Sequence, residues 1–137
     1  MTAPRARVEL VRSSRLATRV PYAYAAVAHD VSRLVFTAGA CPLDESGAIV
    51  AVGDVVGQAE RVMTNLRTAL QAAGADLPDV VNTTVYVASQ HRVDLLAAWE
   101  VVRRRFGDHD APGTLLGVAV LGYLDQLVEV EAVAALR

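Results

Sequence analysis

Apolar residues at Ala59, Val62, Met63, Leu66, Ala69, Leu70 and Ala73 recur at i, i+3, i+4, i+7 intervals, and this stripe constrains the fold more than any other feature. It predicts a long helix beyond Gly53-Asp54, with Gly74 placed to end it in a left-handed C′ position. A helix with one apolar face has to bury that face against another layer. The remaining segments supply strands. Val81-Asn82-Thr83-Thr84-Val85-Tyr86-Val87 is β-branched and alternating. Thr114 to Val120 and Leu127 to Ala135 read as two closing strands. Upstream, Val8 to Val11 reads as a short strand, and Tyr22 to Ala28 and Leu34 to Ala38 as two more, joined by a turn at Asp30-Val31-Ser32. Asp44-Glu45-Ser46-Gly47 is a second turn signal. A second helix is expected from Arg92 to Phe106, with Leu95, Leu96, Trp99, Val102 and Phe106 as its stripe.

The order ββ(β)-α-β-α-β-β predicts an α/β (α+β) domain: one mixed, mostly antiparallel sheet with two helices on one face. A chain of 137 residues suits a single domain over 1–137, with residues 1–7 as a loose tail. The other sheet face, if as apolar as these strands, needs a cover that oligomerisation could supply. Hydrophobic residues make up 53% of the chain and aromatics only 5%, which points the same way.

Charge and residue usage exclude several classes. The net charge of −2 argues against a nucleic-acid partner, and the one basic run, Arg103-Arg104-Arg105, complements a helix C-terminus. No apolar run has transmembrane length and the arginine-bearing N-terminus lacks a signal-type core, so the expected location is cytoplasmic. The single cysteine, Cys41, forms no internal disulfide and fits a reducing compartment. All 13 basic residues are Arg, so no lysine is present for Schiff-base chemistry or for anchoring pyridoxal phosphate. His29, His91 and His109 are scattered, so no metal site is expected. No phosphate-cradling glycine loop is present, so no cofactor is expected either.

The order of several short features resembles the Rid (YjgF, reactive-intermediate deaminase) family. They are Pro21-Tyr22, Val35-Phe36-Thr37-Ala38-Gly39-Ala40, Gln58 and Asn65 on the first helix, and Val128-Glu129-Val130-Glu131-Ala132-Val133-Ala134. The resemblance spans nearly the whole chain. It implies a chorismate-mutase-like fold, a homotrimer with small-molecule clefts between subunits, and hydrolysis of enamines and imines derived from amino acids. It also implies an arginine that pairs with the substrate carboxylate, for which guanidinium geometry is suited. Here the family's Pro-Ala-Arg-Ser stretch reads Pro112-Gly113-Thr114-Leu115, so Thr114 holds the arginine position. Ala38 and Ala40 replace the family's Ser and Gln around Gly39, and Trp99 stands where an Asn is common. Loss of a buried guanidinium removes about 2–5 kcal/mol of binding to a carboxylate. Ordinary deamination of amino-acid enamines such as 2-aminoacrylate is therefore expected to be lost or very weak, in favour of a larger and less anionic ligand.

Each candidate has a plainer alternative. Glu129 lies in an alternating strand and by pattern alone would be a solvated residue, but the resemblance places it as the cleft acid or base and leaves Glu131 structural. Tyr22 and Tyr24 share one side of an expected strand; the family position favours Tyr22, and Tyr24 follows by proximity. Trp99 belongs to a helix stripe, where packing competes with stacking on a ligand. Cys41 sits beside the expected cleft, as an inert small hydrophobe or as a nucleophile. Thr114 either starts a strand or donates a hydrogen bond where the arginine would. The expectation is an enzyme acting on an imine, enamine or related carbonyl-derived intermediate in a specialised bacterial pathway. In it Glu129, Tyr22 and Thr114 do the chemistry, and Trp99, Cys41, Ala38, Gly39, Ala40 and Tyr24 shape the substrate site. The competing expectation is a trimeric ligand-binding or chaperone-like module without chemistry; ribonuclease action is disfavoured by the lack of a basic groove.

Overall fold

The computed structural model describes residues 7–137. Of the tail expected over residues 1–7, residues 1–6 lie outside the described residues, and Arg7 opens strand β1 (Arg7–Val11). β1 pairs antiparallel with β2 (Ala25–His29), and Asp30 turns the chain at φ 58° into β3 (Arg33–Phe36). The strand expected from Tyr22 thus starts three residues later. The Ala23 N–H is bonded to the Asp110 carbonyl, outside any ladder. Tyr22 and Tyr24 consequently precede the strand rather than share its face.

Helix α1 (Val55–Ala72) begins at Asp54, whose carboxylate accepts from the Gly57 N–H. It ends at Ala73, with Gly74 at φ 87° as the apolar period implied. After a single 3-10 turn over Leu77–Asp79 come β4 (Val80–Val87), α2 (Arg92–Phe106), β5 (Gly113–Gly117) and β6 (Val128–Leu136). Hydrogen bonding divides the strands into the β1–β2 ladder and a four-stranded sheet of order β3-β6-β4-β5. Only β4 and β5 are parallel, the pair that α2 links. β5 stops at Gly117, three residues short of the expected Val120. Val118 makes the last bond, to the Val87 carbonyl, and Val120 is 80% exposed.

Both helices cover one face of the four-stranded sheet. Leu66, Leu70 and Met63 of α1 and Val101 and Val102 of α2 pack with Val85, Val87, Val128 and Val130 into one core. Period-2 alternation sends the intervening residues to the opposite face. Register places Phe36 beside Val133, Thr84 between Glu131 and Thr114, and Tyr86 between Glu129 and Leu116 on that face. A register shift at Val81 keeps both Val80 and Thr83 turned inward. The outer face is therefore not uniformly apolar. Polar residues occupy its centre, while Leu34 and Phe36 on one edge strand and Leu116 on the other are exposed.

Candidate active site

Glu129 projects from the outer face of β6, and three segments converge on it. The chain after β3 returns to β6 at Ala40, which exchanges two backbone hydrogen bonds with Val130. That bridge lays Gly39 against the Glu129 carboxylate: a Cβ at residue 39 would fall 2.5 Å from Oε2. Only glycine allows this approach. The Cys41 thiol donates to Glu129 Oε1 at 3.2 Å, and the Gln126 side-chain amide donates to the same oxygen, also at 3.2 Å. Oε2 takes neither bond. No buried side-chain oxygen lacks a partner among the described residues, so Oε2 opens to solvent. One carboxylate oxygen thus takes both hydrogen bonds and the other lies against Gly39.

The thiol stands here as a hydrogen-bond donor to Glu129. Burial, then the hydrogen bond to Glu129 and its charge, push the Cys41 pKa up to about 11. A thiol shifted in this direction is less reactive at neutral pH than an ordinary one. Ala38 and Ala40 contribute only methyl groups, and Ala38 is exposed. Glu131, the next outward residue, accepts the Tyr86 hydroxyl at 2.7 Å, and this bond raises the pKa of that phenol.

Tyr22, Trp99 and Thr114 lie elsewhere. They line a cavity of about 540 Å³ between α2, the β5 edge and the segment before β2. Trp99 is half-buried there rather than packed in the core, with the Arg103 guanidinium 5.8 Å above its ring. Tyr22 meets Tyr24 edge to face at 5.7 Å, and the Tyr24 hydroxyl is taken by the Ala17 carbonyl. Glu129, Cys41 and Gly39 do not line this cavity. Thr114 shares a cross-strand row with Thr84 and Glu131, two strand spacings or roughly 10 Å from β6. Within one chain the Glu129 carboxylate and the aromatic cavity are therefore separate.

Three polar residues hold the segments around Glu129. Gln58, fully buried on α1, donates to the Asp125 carbonyl at 2.9 Å and accepts from the Leu127 N–H at 2.7 Å. Asn65 donates to the carbonyls of Cys41 and Leu43. Both are family-pattern residues, and their observed work is to pin the two loops that flank Glu129. Gln126 was not among the expected site residues. It sits in a loop where neither period applies, and only its burial beside Glu129 identifies it. The Arg103–Arg105 run is occupied by Glu100 and Glu60. Among the described residues no cluster of three or more His, Cys, Asp or Glu could hold a metal ion, and no helix is long and apolar enough to cross a membrane.

A profile of the endoribonuclease L-PSP family matches residues 12–136. A RutC family protein of Pyrococcus abyssi is 35% identical over 104 residues, 76% of this chain and 80% of that protein. A 2-iminobutanoate/2-iminopropanoate deaminase of Salmonella typhimurium is 30% identical over 110 residues, 79% and 84% of the two chains. Among solved structures, a protein of unknown function of the conserved Rid family from Yersinia pestis superposes with a TM-score of 0.84 at 26% identity. That match covers 94% of this chain and 98% of the other.

Proposed function

The chain belongs to the Rid/YjgF family, which the endoribonuclease L-PSP profile describes, and from that membership we propose an enzyme that acts on an imine, enamine or related carbonyl-derived intermediate. The deaminase name of the Salmonella relative supports the reaction class. The observation that carries the reading is Glu129, held at one oxygen by Cys41 and Gln126 and open at the other. In this role Glu129 moves the proton between water and the C=N carbon-nitrogen unit. Tyr22 and Thr114 orient the substrate, and Trp99 bounds it.

The reading includes a homotrimer. Glu129 and the aromatic cavity are apart in one chain, and Leu34, Phe36 and Leu116 are exposed on the edge strands of the same sheet face. A neighbouring copy that covers these residues would bring one chain's Trp99 wall to another's Glu129.

The test is kinetic. Imines derived from 2-aminoacrylate should hydrolyse no faster with the protein than in buffer, because Thr114 offers no charge to their carboxylate. Rapid turnover there would sink the altered specificity. Imines of bulky aromatic ketones should be turned over, and Glu129→Gln should lower that rate by about 10²–10⁴-fold. Unchanged turnover in the variant would remove Glu129 from the mechanism, and no turnover of any imine would favour a ligand-binding module.

A further inference from the structure

The cavity under α2 deepens the reading above by indicating the chemistry of its ligand. Its volume of about 540 Å³ lies within the roughly 300–1,000 Å³ of small-molecule sites and far exceeds a three- or four-carbon imino acid. Its walls are Leu96, Trp99, Val102 and Phe106 from α2 and Leu115 from β5, with Tyr22 at the rim.

Each ionic group in the lining has a partner within the chain that compensates its charge. Arg103 is paired with Glu100 at 2.7 Å and lies over Trp99. Asp110 is paired with Arg12 at 2.8 Å. His109 gives its Nε2 to the Val80 carbonyl at 2.7 Å and stacks against Phe106. The Thr83 hydroxyl is bound to the Glu131 carbonyl. Among the described residues, the hydroxyls of Tyr22 and Thr114 and the indole N–H of Trp99, all neutral, are left without an intrachain hydrogen bond. These neutral groups can serve one neutral polar atom, but they cannot compensate a desolvated carboxylate. We infer that this cavity binds an uncharged aromatic carbonyl compound or its imine, with the ring on Trp99 and Phe106 and the C=O or C=N at Tyr22 and Thr114.

Trp99 is the chain's one tryptophan and reports on its own site. Titrating the full chain with 2-acetonaphthone should quench its emission saturably. The near-isosteric carboxylate 2-naphthoate should bind at least about tenfold more weakly, and pyruvate should not quench at all. Thr114→Arg should reverse the order of ketone and carboxylate by adding a guanidinium. Equal affinity for ketone and carboxylate would overturn the inference. So would an absence of saturable quenching, including the case where a second copy fills the cavity and Trp99 emission instead depends on protein concentration. The titration requires no turnover. Ketone binding without imine hydrolysis would leave the inference standing and remove the enzymatic reading, whereas imine hydrolysis without ketone binding would remove this inference alone.

Discussion

The two faces of the four-stranded sheet are made by the same strands and do opposite things. On β6, Val128, Val130, Ala132 and Ala134 turn toward the helices and are buried, while Glu129 and Glu131, one residue away in each case, turn outward. The inner face needs only volume and apolarity. The outer face holds a carboxylate whose neighbours are placed one hydrogen bond at a time. A one-residue slip in the pairing of β6 would exchange the two sets, which makes register the property that joins the core to the site.

The comparison breaks most visibly under truncation. Leu66→Ala, on the covered face, should cost about 2–5 kcal/mol in chemical denaturation. Phe36→Ser, 71% exposed at the outer edge, should alter intrinsic stability by no more than about 0.5 kcal/mol while shifting the mass in sedimentation. A loss at Phe36 as large as at Leu66, with no change of mass, would mean that the outer face also packs within one chain. An intermediate effect belongs to the polar supports. Gln58→Leu leaves the Leu127 N–H and the Asp125 carbonyl without their partners and should cost about 1–3 kcal/mol, read by the same denaturation.

The last prediction concerns the thiol, and it sharpens the account of the outer face. Because the folded Cys41 pKa is raised from 9.0 to about 11, its contribution is complete below pH 9 and is lost as pH climbs through 11. At pH 8 its thiolate fraction is about a hundredfold below that of an ordinary thiol, so iodoacetamide should label it correspondingly slowly. Glu129→Gln removes the negative charge beside the thiol and should speed that labelling. An alkylation rate that ignores Glu129 would show that the Cys41–Glu129 hydrogen bond does not persist in solution.

Much of the scaffold is legible along the chain because it rests on local periodicity. The apolar stripe of α1, the Gly74 stop, the span of α2 and the alternation of β4 and β6 each follow from residues within one element. The same alternation puts Glu129 and Glu131 on one face of β6, opposite the buried valines. Gln126 was not legible. It belongs to a loop, and its value comes from a bond to a strand that no periodic rule can anticipate. The strand expected from Tyr22 starts late for a similar reason, since the Ala23 N–H bonds to Asp110 across the fold and the chain meets β1 only from the Tyr24 N–H, which bonds to the Val11 carbonyl.

The sequence by itself determined the two helices, the Gly74 stop and the alternation of β4 and β6. Hydrophobic spacing and residue identity are local properties, and they survive without knowledge of what lies opposite. Only the tertiary structure decided that Trp99 faces a cavity rather than the core, that the Cys41 thiol donates to Glu129, and that Glu129 and the aromatic cavity lie apart within one chain. Burial and hydrogen-bond partners depend on which distant segments meet, and that information resides in packing rather than in the order of the residues.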